Sequence, residues 1–111
     1  DYEQEKLSVK KVISSSKIML NNGIIIHLIG IRDNAKVNDK AIKYLENKLK
    51  NQLIILKFDT IKYDKENNLL CYLYLKNKTF INAHLIKNKL VDVDTSFEYK
   101  YKDKFINLLK F

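Results

Sequence analysis

The chain has 111 residues, 46% of them hydrophobic and 31% charged, which supports one folded domain around one core and excludes a disordered chain. Twenty-one Lys and Arg against 13 Asp and Glu leave a net charge of +8, a balance that points to polyanions, nucleic acid before an anionic membrane surface. No apolar run has the length of a membrane-spanning helix, and a lone cysteine, Cys71, has no partner for an internal disulfide, which fits a reducing, cytoplasmic setting.

Residues 1–6 are polar and largely acidic, and the chain does not open on Met. They are expected to be a linker or a disordered start, with a single domain over 7–111 that is itself part of a longer protein. Leu7 to Ile13 is rich in β-branched residues and reads as a strand, Lys17 to Leu20 as a second. Asn21-Asn22-Gly23 is a turn signal, since Asn and Gly tolerate positive φ. Ile24 to Ile31 is expected as a third, central strand, followed by a polar loop from Arg32 to Val37. Asn38 is expected to cap a helix, in which Ala41, Leu45 and Leu49 recur at helical spacing and which ends near Asn51.

Leu53 to Phe58 reads as a strand, Lys62 to Asn68 as a polar turn, and Leu69 to Leu75 as a strand that places Cys71 in the core. Lys76-Asn77-Lys78 turns the chain back. A short helix from Asn82 to Lys89 buries Leu85 and Ile86 and carries His84 in a structural role. Thr95-Ser96-Phe97-Glu98 matches a capping box for a terminal helix with Phe97, Tyr101, Phe105, Leu108 and Leu109 on its apolar face. Three strands, a helix, two strands and then helices predict a mainly β protein with helices (α+β): a five-stranded barrel of the OB type with about three helices.

Three blocks carry a family resemblance. They are Val12 through Arg32, with Ser14-Ser15-Ser16-Lys17 inside an apolar frame; Leu70-Cys71-Tyr72-Leu73-Tyr74; and Ile81-Asn82-Ala83-His84-Leu85 on to Val93. Together they resemble the staphylococcal-nuclease-like (thermonuclease) family. The resemblance implies the same OB-type fold. It also implies a calcium-dependent phosphodiesterase site of carboxylates and arginines, and at those positions this sequence carries other residues.

The two aspartates of the family's Asp-Gly-Asp-Thr motif fall at Ser14 and Ser16, and the arginine of the third strand at His27. The second metal carboxylate falls at Arg32, the glutamate at Ala35 and the second arginine at Asn68. Calcium needs several hard, mostly anionic oxygens, so the resemblance implies a degenerate site with no metal ligand set and no catalytic residues.

A cleft stripped of its carboxylates while cations remain is expected to bind anions. Lys17, His27, Arg32, Lys57, Lys62 and Tyr63 are the candidate nucleic-acid contacts, with Tyr72 and Tyr74 as aromatic neighbours. DNA is expected ahead of RNA, and no membrane. The run from Tyr63 to Thr79 is similar to the C-terminal extension of some bacterial DNA methyltransferases. That similarity implies an accessory module beside a linked catalytic domain which uses S-adenosylmethionine, with no cofactor in this piece. Two alternatives are a divalent-metal-dependent nuclease rebuilt on Asp33, Asp64 or Glu66, and a scaffold that binds only protein.

Overall fold

Turn chemistry sets the first half of the chain. The computed structural model describes residues 6–110; all but Lys6 of the expected linker lies outside the described residues. Strands β1 (Val9–Val12), β2 (Lys17–Leu20) and β3 (Ile25–Leu28) form an antiparallel meander. Between β2 and β3 the Asn21-Asn22-Gly23 turn closes with Gly23 at φ +87°, and the Leu20 N–H donates to the Ile24 carbonyl at 2.8 Å.

The third strand stops earlier than its apolar run suggests. It ends at Leu28, Gly30 turns the chain at φ +79°, and Ile31–Arg32 forms a separate strand, β4. β4 leaves the main sheet and pairs with β7 (Asp92–Val93), Ile31 opposite Val93 and Arg32 opposite Asp92. Arg32 therefore stands in a strand and not in the expected loop. The break is fixed from inside: Phe105 packs so closely beneath Gly30 that a Cβ there would stand 2.6 Å from its ring.

Helix α1 (Asn38–Leu49) buries Ala41, Leu45 and Leu49 and exposes Lys40, Lys43 and Glu46, the spacing of a one-sided helix. Its cap is Val37, without a side-chain bond. Asn38 does not cap the helix, because its Oδ1 is taken by the Ser15 N–H at 3.2 Å, which pins the β1–β2 turn to the helix start. Asn51 follows the helix at φ +58°, a left-handed residue that lets the chain leave the last turn.

β5 (Ile54–Lys57) and β6 (Leu69–Leu75) complete a five-stranded sheet of order β1-β2-β3-β6-β5, in which β3 and β6 run parallel. Its two edges meet at one point, where Ser8 bridges Leu53 and the Ile54 N–H donates to the Leu7 carbonyl at 3.0 Å. The sheet thus curls round on itself as an OB-type sheet does. β6 lies inside the sheet between β3 and β5, and Leu70, Cys71, Tyr72 and Leu73 in succession are all buried, which is why its sequence lacks polar alternation.

α2 (Ile81–Lys87) ends in a Schellman arrangement: the Lys89 N–H bonds the Ile86 carbonyl and the Leu90 N–H the Leu85 carbonyl, both at 3.0 Å, with Lys89 at φ +59°. Asn82, fully buried, accepts from the Leu73 N–H at 2.9 Å and donates to the Ile29 carbonyl at 2.9 Å. It fastens α2 to β6 and to the end of β3.

The expected capping box does not form. α3 (Lys102–Leu108) begins at Lys102, Glu98 pairs with Lys102, and the Ser96 N–H donates to Asp94. The buried Tyr99 holds the preceding segment as a corner by donating its hydroxyl to the Asp94 carbonyl at 2.6 Å, so Phe97 packs on the core from irregular backbone. Leu109 is 45% exposed and does not extend the apolar face. Among the described residues no helix is long and apolar enough to cross a membrane.

Candidate functional site

The turn between β1 and β2, Ser14-Ser15-Ser16, satisfies itself. Ser14 Oγ accepts from the N–H groups of Ser16 and Lys17, each at 3.2 Å, and lies 3.3 Å from Ser16 Oγ. Ser15 donates its hydroxyl to Asp33. These short hydroxyl side chains fold the turn over its own backbone, and Ser15 and Ser16 are buried.

This turn forms one wall of a cleft of about 310 Å³ whose lining includes Ser16, Lys17, His27, Arg32, Asp33 and Asp94. Register brings the strand residues together, since Lys17 stands opposite His27 across β2–β3. The curl at Gly30 then brings Arg32 and Asp33 to the same opening. Asp33 lines the cleft beside Arg32. Ala35 is exposed in the turn before α1 and takes no part in the lining.

Each basic side chain of the cleft faces a carboxylate. Lys17 Nζ lies 2.8 Å from Glu66, His27 Nδ1 2.8 Å from Asp64, and an Arg32 amino nitrogen 3.1 Å from Asp94. The turn of residues 64–68 and the strand-end residue Asp94 bring acids to all three. The Lys17 and Arg32 pairs are exposed, and such pairs contribute about 0–1 kcal/mol; the His27–Asp64 pair is partly buried.

Asp64 is the hub of the second wall. Besides His27 it accepts from the Asn68 N–H at 2.8 Å, the Asn68 side-chain amide at 3.1 Å and the Glu66 N–H at 2.9 Å. Burial pushes its carboxyl up, but these hydrogen bonds outweigh burial and hold it below the ordinary aspartate value. Asn68 thus serves to lock this turn. For Asp94, burial is likewise outweighed, by Ser96 and then Arg32. Sequence reasoning missed Asp94 as a lining residue; its only signal was a carboxylate directly after the short extended Asp92–Val93.

The aromatic candidates separate. Tyr63 is 55% exposed. Tyr72 and Tyr74 are not open neighbours of the cleft: Tyr72 is buried with its hydroxyl on Asp59. Tyr74 stacks on Phe80 at 4.5 Å between centroids, its phenol pushed up to about 12 by burial and then by Tyr101. Lys57 lies 5.1 Å from the Tyr74 ring centroid, and Lys62 is exposed. Cys71 is fully buried, and burial pushes its thiol far up, which suits a packing residue and not a nucleophile. His84 sits half-buried on α2.

Among the described residues, no group of three or more His, Cys, Asp and Glu side chains is placed to hold a metal ion. The curled five-stranded sheet, the helix inserted between β3 and β5 and a cleft at the mouth of β3 define an OB-type α+β domain. Residues 33–110 match the family described as staphylococcal nuclease homologue, and the chain belongs to that family. The match takes in the second and third resembling blocks and begins just after the first, Val12 to Arg32. No curated protein matches the chain.

Proposed function

We propose that this chain is a non-catalytic nucleic-acid-binding module, taking DNA ahead of RNA. In this reading it is a single domain over residues 7–111, carried by a larger cytoplasmic DNA-modifying protein of the DNA methyltransferase kind. The linked domain would use S-adenosylmethionine; this one would need no cofactor. Family membership supports the nucleic-acid part, and a net charge of +8 supports a polyanionic partner.

One observation carries the non-catalytic part: a guanidinium, that of Arg32, lines the cleft and bonds one of its two lining carboxylates, Asp94. The donor set does not fit calcium. Asp33 is engaged by Ser15, Asp94 by Arg32, and Ser16 brings no charge, while the ion needs several anionic oxygens. The competing reading, a nuclease rebuilt around Asp33, draws on the place of Asp33 in the cleft lining, but the same contacts weigh against it.

Titration of a short labelled DNA duplex and of its single strand across a salt series tests the proposal. Log affinity should fall linearly with log salt, with a slope of about 0.9 per duplex phosphate contacted. No binding of either DNA at low salt would reject the nucleic-acid reading. Cleavage of the DNA in calcium, magnesium or manganese would reject the non-catalytic reading alone.

A further inference from the structure

The main sheet contains an extrusion that its core does not require. Lys57 stands opposite Tyr72 at the end of the β5–β6 ladder, and Tyr63 bridges Leu69 farther along the same strand. The Leu70 N–H donates to the Lys62 carbonyl at 2.7 Å. Residues 58–62 therefore lie opposite residues 70–71, five against two. The surplus is thrown outward from the edge of the sheet.

The extrusion is anchored. Asp59 turns inward and accepts from the Tyr72 hydroxyl, the Lys100 N–H at 2.8 Å and the Thr60 N–H at 2.7 Å. What it holds out is apolar and largely aromatic: Phe58 is 47% exposed, Ile61 45% and Tyr63 55%. Folding gains little from leaving three such side chains in water. Lys57 precedes Phe58 and Lys62 lies between Ile61 and Tyr63; both lysines are exposed and, among the described residues, neither forms an ion pair. The one acid within the extrusion, Asp59, spends its charge on the inward bonds.

We propose that this extrusion is a stacking platform for single-stranded nucleic acid, with bases on Phe58 and Tyr63 and phosphates on Lys57 and Lys62. Each exposed ring adjoins in sequence a lysine that forms no ion pair among the described residues, Phe58 next to Lys57 and Tyr63 next to Lys62, and such a surface matches a polyanion that carries flat apolar faces. A duplex hides those faces in its own stack, so the surface suits unpaired bases. A second lysine-bearing cleft, about 300 Å³ between β1 and α1, is lined by Lys10, Lys11, Glu46 and Lys50 without any aromatic residue, and so has charge without a stacking face. The platform adjoins the cleft already described, because Asp64, next to Tyr63, holds His27.

The proposal rests on the nucleic-acid reading above and adds strandedness and place. Labelled oligothymidylate and a duplex of equal length are titrated against the parent chain and the Phe58→Ala, Tyr63→Ala and Lys62→Ala variants, with circular dichroism confirming the fold of each. Phe58→Ala and Tyr63→Ala should each weaken single-strand binding by about fivefold or more, with the salt slope and the duplex affinity unchanged. Lys62→Ala should lower the single-strand salt slope by about 0.7. Aromatic variants that bind the single strand as the parent does, or that lose both DNAs equally, would overturn the platform while leaving nucleic-acid binding intact. A parent that binds neither DNA would bring down both.

Discussion

Asn82 is the side chain on which several elements converge. Its amide satisfies the Leu73 N–H and the Ile29 carbonyl inside the buried core. Replacement by Leu keeps roughly the volume but leaves both backbone groups without partners, and each such loss costs about 1–3 kcal/mol. Asn82→Leu should therefore lower unfolding free energy by about 2–5 kcal/mol, read as a shift in urea midpoint at unchanged m-value. An apolar gain that left the midpoint unmoved would show that the pin is dispensable. From the sequence, Asn82 reads only as the first residue of a short helix; a single polar residue on an apolar face does not disclose which strands will need it.

At the scale of elements, the two glycines give matched tests. Gly23 and Gly30 both hold positive φ, but a Cβ at Gly23 meets nothing within 4 Å, whereas one at Gly30 meets Phe105 at 2.6 Å and the Tyr99 hydroxyl at 2.8 Å. Gly23→Ala should cost about 1–2 kcal/mol, the price of a left-handed L-residue alone. Gly30→Ala carries that same cost plus the displacement of two packed rings, about 1–3 kcal/mol more. Thermal midpoints of the two variants check the ordering; equal losses would mean that Phe105 yields freely.

The strands, the first helix and the Asn-Asn-Gly turn were legible because local pattern and tertiary demand agree there. The errors fall where long-range contacts overrule pattern. β3 breaks at Gly30 because of Phe105, Asn38 is diverted by Ser15, and the apparent capping box is displaced by the Tyr99 hydroxyl on the Asp94 carbonyl. Of the cleft, the basic residues were visible in the chain, and Asp64 and Glu66 stood out as acids, but which acid meets which basic residue was not. Glu66, Asp64 and Asp94 reach them across 49, 37 and 62 positions, distances that no local motif encodes.

For the molecule as a whole, acid stability follows from three carboxylates. Asp59, Asp64 and Asp94 are each held below the ordinary value of 3.8, hydrogen bonds outweighing burial in every case. A depressed folded pKa means that the unfolded chain binds protons first as pH falls. The stabilisation is complete above the unfolded value of about 3.9 and is lost as pH drops through the folded values. Urea unfolding at neutral pH and at successively lower pH should show this decline beginning near pH 4 to 5, and Asp64→Asn should flatten it while lowering stability at neutral pH. A variant whose decline matches the parent's would remove Asp64 from the acid limb.

The rim of the sheet has a further consequence. Among the described residues β1 and β5 touch around Ser8 and Leu53, and beyond that point β1 carries the adjacent, exposed Lys10 and Lys11. Unsatisfied strand borders invite a neighbouring molecule to add on, and adjacent ammonium groups there repel an identical border. That repulsion weakens as counter-ions accumulate.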